Sequence, residues 1–147
     1  MPMRVSQKAS YALRALIVLA QLESPGRVVP TSELARREKI PAKFLEGILV
    51  ELRKAGLVTS QRGAEGGHRL ARGASRITIG EVWRAMDGPL SPAASLNESG
   101  PRTLAGRGLQ SVWEEVEQAV ALVVDELTLE EVLRRVETRR GVVDYSI

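Results

Sequence analysis

The chain has 147 residues, 44% apolar and 27% charged, with a formal net charge of +3, a balance that suits a globular domain with an added assembly element and excludes a disordered or fibrous protein. It has no cysteine and one histidine, which excludes a disulfide framework, a thiolate metal site, a thiol nucleophile and an HExxH zinc motif. Residues 1–85 hold 15 Lys and Arg against 7 Asp and Glu, whereas residues 86–147 hold 6 against 11, so a basic half fit for a polyanion is joined to an acidic half with another task.

From Ser6 to Leu22, the apolar residues Ala9, Ala12, Leu13, Leu16, Ile17 and Ala20 recur at helical spacing and predict an amphipathic helix, ended by Ser24-Pro25-Gly26. Pro30-Thr31-Ser32-Glu33 opens a short second helix running to about Arg37, with Thr31 as the expected N-cap. After the turn Glu38-Lys39-Ile40, Pro41 starts a third helix. Its expected buried stripe is Phe44, Leu45, Ile48, Leu49 and Leu52, and its outward face carries Lys43, Glu46, Gly47, Val50, Glu51, Arg53 and Lys54. Two helices joined by a short turn, the second amphipathic and basic, form a helix-turn-helix pattern.

Leu57–Gln61 and His68–Ala71 have strand character and flank the Gly-rich turn 62–67, which predicts a hairpin, or wing, made basic by Arg62, Arg69, Arg72 and Arg76. Thr78-Ile79-Gly80-Glu81 is a capping-box sequence, so another helix follows through Trp83 and Met86. Of residues 88–108, 10 of 21 are Gly, Pro or Ser, which predicts an irregular segment. Leu109, Trp113, Val116, Val120, Val123 and Leu127 then follow spacings of 4, 3, 4, 3 and 4, a heptad seam expected to pair with a second copy. Thr128-Leu129-Glu130-Glu131 caps a last helix through about Thr138, with a polar tail after it.

The fold class expected is mainly α with a small β-hairpin: a winged helix-turn-helix domain over residues 1–88, a flexible loop over 89–108, and a dimerisation helix plus C-terminal helix over 109–147. With no stretch near the ~20 uncharged apolar residues of a membrane span, and with Arg14 interrupting the first apolar run, a cytoplasmic location is the default expectation.

Several runs resemble the bacterial Rrf-type winged helix-turn-helix regulators. They are Ser6-x-Lys8-Ala9-x-Tyr11-Ala12-Leu13-Arg14-Ala15-Leu16, Glu33-Leu34-Ala35 and Ile40-Pro41-x-x-Phe44-Leu45-Glu46-x-Ile48-Leu49. The match continues in Leu52-Arg53-Lys54-Ala55-Gly56-Leu57-Val58, Arg62-Gly63-x-x-Gly66-Gly67-x-x-Leu70-Ala71-Arg72 and Ile77-Thr78. The resemblance implies a homodimeric transcription regulator, most often a repressor, bound to a pseudo-palindromic operator in double-stranded DNA. It implies base readout by Lys43 and Glu46, minor-groove entry by Arg62, and phosphate contacts by Lys8, Tyr11, Arg53 and Arg69. That chemistry is sound, since Lys donates to guanine, a carboxylate accepts from cytosine, and narrow minor grooves attract cations. Gly47 replaces a longer polar side chain common in the cluster-binding branch, so a different operator is expected. His68 stands where an aromatic is usual and is expected to pack the wing or touch phosphate.

Cluster-binding members carry three cysteines in the segment aligned with about Leu90–Leu109. This chain has none, so the resemblance is to the cluster-free, CymR-like branch, and no cofactor is expected. The signal would be a partner protein, a small molecule, or none. Catalysis is not expected: Glu114 and Glu115, like Glu130 and Glu131, are neighbours on a helix and point about 100° apart rather than converging. A metal site built from His68, Asp87 and Glu98 would be weak with one imidazole. The remaining alternative, a winged-helix adaptor that docks protein rather than DNA, leaves the excess positive charge of the first 85 residues without a use.

Overall fold

The structure, a computed structural model, describes residues 3–93, 96 and 103–145. Helix α1 (Gln7–Gln21) is capped by Ser6, whose hydroxyl accepts from Ala9 N–H at 3.0 Å. Ala9, Ala12, Ala15, Leu16, Val18, Leu19 and Ala20 are its buried residues, and the run of alanines lets neighbouring elements approach closely. Helix α2 (Thr31–Glu38) ends at Lys39 in the left-handed region (φ 56°), and α3 (Ala42–Lys54) follows within three residues. Pro30, not Thr31, occupies the N-cap of α2, and Thr31 is its first helical residue. The Thr31 hydroxyl is thereby released for a contact with the wing.

Helix α3 buries Leu45, Ile48, Leu49 and Leu52. Phe44 does not join them and is 49% exposed. Its ring instead meets Tyr11 of α1 edge-on, outside the buried cluster. Strands β1 (Val58–Gln61) and β2 (Gly67–Leu70) pair antiparallel in the register Val58↔Leu70 to Gln61↔Gly67. Gly66 closes the turn where a Cβ would stand 2.1 Å from the Gln61 carbonyl oxygen, so no larger residue fits.

A short 3₁₀ turn (Ala74–Arg76) leads to α4 (Ile79–Asp87), where Thr78 Oγ1 accepts from Glu81 N–H at 3.1 Å. The Asp87 carboxylate accepts from Ser6 N–H (3.0 Å), Ser6 O–H and Trp83 Nε1–H (3.1 Å), tying the end of α4 to the start of α1. Helix α5 (Leu104–Val124) starts within the stretch expected to be irregular, because Thr103 caps it by accepting from Gly106 N–H at 3.0 Å. Helix α6 (Leu129–Tyr145) extends beyond the expected end at Thr138.

The core is shared by α1–α4, the base of the wing and the α5–α6 turn, with Leu16, Leu34, Leu45, Leu52, Leu57, Ile77 and Leu129 fully buried. Ile79 N–H donates to Leu127 O (2.8 Å) and Leu129 N–H to Ile77 O (2.9 Å), so the α5–α6 turn is stitched onto the entry to α4. Leu127 therefore lies beyond the last residue of α5, in this turn, and does not continue the helical seam. No helix among the described residues is long and apolar enough to cross a membrane.

Candidate nucleic-acid interface

Helix α3 turns its outward face to solvent. Lys43, Glu46, Gly47, Val50, Glu51, Arg53 and Lys54 are all exposed. Lys43, Glu46 and Arg53 enter no ion pair among the described residues. At Gly47 an added Cβ would meet nothing within 4 Å, so the middle of this face is an open notch between longer side chains.

Two residues of α1 are drawn to the edge of that face. Lys8 Nζ lies 2.8 Å from Glu51 Oε2, and the ring of Tyr11 meets Phe44 edge-on with centroids 5.7 Å apart. On its other side Tyr11 carries Arg14, whose guanidinium carbon is 5.3 Å from the ring centroid, and Arg14 Nε donates to Glu38 Oε1 at 2.9 Å. The stack Arg14–Tyr11–Phe44 thus links the end of α2, the middle of α1 and the first turn of α3. The exposed Phe44 borders the outward face of α3 rather than the core stripe in which the apolar spacing places it.

The wing presents Arg62 at the tip, one residue past β1, exposed and outside every ion pair of the described residues. Arg69 is exposed on β2, with Nε 3.4 Å from the Thr59 hydroxyl across the hairpin. Arg72 is paired with Glu81 at 2.7 Å and so is less available than its charge suggests.

His68 holds the wing to the helices. Nε2 is 2.8 Å from Thr31 Oγ1 and Nδ1 is 2.8 Å from Ser60 Oγ. Its backbone exchanges two 2.8 Å hydrogen bonds with Val29. Burial lowers its pKa below the usual histidine range, and the charge of Arg53 lowers it further. The imidazole is therefore neutral near pH 7, one nitrogen donating and the other accepting. The sequence named His68 as a packing candidate but could not supply Thr31 and Ser60, which lie 37 and 8 residues away.

On α5, the expected seam divides in two. Trp113 and Val120 are half-buried on the side that also carries Glu117 and Val124, with Trp113 beside Ala93 and Leu96. Leu109 (53% exposed) and Val123 (57%) lie instead with Val112 (46%), Val116 and Ala119 along a neighbouring edge, and no residue of α5 is fully buried.

A helix-turn-helix with an exposed basic recognition face, followed by a basic hairpin, defines a winged helix-turn-helix DNA-binding protein of the transcription-regulator class. The family model Rrf2, described as iron-dependent transcriptional regulator, matches residues 5–135. The chain belongs to the Rrf2 family. A Mycobacterium tuberculosis protein named for an HTH-type transcriptional regulator is 43% identical over 135 residues, covering 88% of this chain and 81% of its own length. The HTH-type transcriptional regulator CymR of Bacillus subtilis is 35% identical over 88% of each chain. Among solved structures, that of CymR, the global cysteine regulator of B. subtilis, superposes with TM-score 0.74 at 32% identity, covering 90% of this chain and 97% of that one. The T. potens IscR structure gives TM-score 0.73 at 34% identity, covering 92% and 90%.

The family description invokes iron, and the donor set here does not suit an iron–sulfur cluster. Clusters are held chiefly by thiolates, and this chain has no cysteine and a single histidine, whose two ring nitrogens already face Thr31 and Ser60. Among the described residues no three His, Asp or Glu side chains gather at one point. Glu98 lies outside the described residues.

Proposed function

We propose that this chain is a cytoplasmic, homodimeric, sequence-specific transcriptional repressor that works without an iron–sulfur cluster and does no catalysis. The observation that carries the reading is the pairing of an exposed recognition face bearing Lys43 and Glu46 with an exposed, unpaired wing-tip Arg62 among the described residues. A surface whose charges are already neutralised by its own chain would have little to give DNA. Lys43 donates to guanine O6 or N7, Glu46 accepts from cytosine N4, and Arg62 enters the minor groove where it is narrow and most negative. Lys8, Tyr11, Arg53 and Arg69 contact phosphates and set register; Lys8 does so by exchanging Glu51 for a phosphate oxygen.

Dimerisation uses the apolar edge of α5, from Leu109 through Val112, Val116 and Ala119 to Val123, of which Leu109, Val112, Ala119 and Val123 are exposed and Val116 half-buried among the described residues. A twofold dimer reads a pseudo-palindrome whose half-sites are about 34–36 Å apart. Selection of bound sequences from random DNA by the purified chain, followed by gel shifts over a salt series, tests the reading. An inverted repeat bound far more tightly than scrambled DNA is expected; equal affinity for both would overturn it.

A further inference from the structure

The wing consists of two four-residue strands, and a lone two-stranded hairpin of that size is marginal in water. Its base is held by the buried Leu57 and Val58. Nearer its tip, the Thr31–His68 bond is, among the described residues, the one side-chain hydrogen bond from either strand to a helix. It continues through the ring to Ser60, two residues before Arg62. Backbone contact reinforces the seat, since a Cβ at Gly67 would stand 2.5 Å from the Val29 carbonyl carbon. With both ring nitrogens engaged and both hydroxyls able to donate or accept, the imidazole has no atom left for phosphate.

We propose that His68 is a positioning residue for DNA recognition: the relay Thr31–His68–Ser60 sets the angle of the wing against α2 and α3, and so delivers Arg62 to the groove beside the bases faced by Lys43 and Glu46. The inference rests on the reading of Arg62 as a DNA contact. It predicts that His68 acts through Arg62 and not through the stability of the domain alone.

The test is a double-mutant cycle on the full chain, with affinity measured on the selected operator at fixed salt. Arg62→Ala in the wild-type background is expected to weaken binding roughly 5- to 150-fold, the range for an Arg that reads a groove. In an His68→Phe background, which keeps an aromatic ring without its nitrogens, the same change is expected to cost less than about threefold. Thr31→Val and Ser60→Ala, each removing one end of the relay, are expected to shrink the Arg62 effect partially, and His68→Gln, which keeps a donor and an acceptor, to restore part of it. These milder variants carry the test if His68→Phe lacks a cooperative thermal transition. An Arg62→Ala factor that stays the same in every background overturns the proposal and leaves Arg62 as a contact. An Arg62→Ala change with no effect in the wild type overturns both.

Discussion

Arg84 on α4 and Asp125 at the end of α5 meet as a two-pronged ion pair, Nη1 to Oδ1 at 2.6 Å and Nη2 to Oδ2 at 2.9 Å. The hydrogen bonds raise the pKa of Arg84 and lower that of Asp125, with their Coulombic attraction adding to the shift. A lowered carboxylate pKa favours the folded state above the unfolded value and loses that contribution as pH falls through the folded one. Both side chains are more than a third exposed, so solvent screens most of the attraction. The coupling energy from a cycle of Arg84→Ala and Asp125→Ala, read by urea unfolding at pH 7, is expected at about 0.2–1 kcal/mol. The pair aligns α5 on α4 more than it stabilises either.

Adjacent residues on α3 are expected to answer very differently to truncation. Leu45→Ala empties a fully buried site and is expected to cost about 2–5 kcal/mol. Phe44→Ala removes a half-exposed ring and one edge-on aromatic contact, for about 1 kcal/mol. Chemical denaturation of both variants checks the order, and a larger loss for Phe44→Ala would mean that the Arg14–Tyr11–Phe44 stack is part of the core.

His68 makes stability depend on pH in a defined window. Its folded pKa is lowered, so between that value and the unfolded value of about 6.5 the unfolded chain binds more protons. Stability is therefore complete above about pH 6.5 and declines as pH falls below it. His68→Gln cannot titrate and is expected to flatten the portion of the curve just below the unfolded value of about 6.5, which urea titrations at about half-unit steps would resolve. A wild-type curve already flat there would contradict a neutral, engaged imidazole.

The open edge of α5 makes a prediction about assembly. Val112→Glu, together with Val123→Glu, puts charge on the edge proposed to pair while leaving the half-buried Trp113 and Val120 untouched. Sedimentation is expected to show a dimer for the wild type and a monomer for the double variant, with unchanged far-ultraviolet circular dichroism. Operator affinity is expected to fall with it, because a monomer forfeits the second half-site.

Most of the scaffold was legible because its signals are local. Helical spacing located α1, the Lys39–Pro41 turn separated α2 from α3, and the glycines at 63 and 66 marked the hairpin. The misreadings arose where a local pattern met a distant neighbour. Phe44 and Leu45 both fit an apolar stripe, and the choice between them was made by Tyr11, a residue of α1. Leu127 continues the heptad count, but α5 stops at Val124 and the Ile79–Leu127 hydrogen bond draws Leu127 into a turn. Thr31 fits a helix cap until Pro30 takes that place. In the candidate interface, the motifs propose Lys43, Glu46 and Arg62 and the hairpin register pairs Ser60 with His68, whereas Thr31 lies in a segment that no spacing rule connects to them.

The stitching of the α5–α6 turn onto the entry to α4 has a consequence for target choice. The reading head and α5, the helix proposed to pair, meet at one joint, anchored by Leu129 in the core and by paired backbone amides. In the proposed dimer, two heads fixed in this way are not expected to swivel to follow a displaced half-site. Adding a single base pair at the centre of the proposed palindrome would rotate one half by roughly 34°, from about 10.5 base pairs per turn, and a dimer built this way is expected to act as a ruler that rejects the altered length even though every letter it reads is still present.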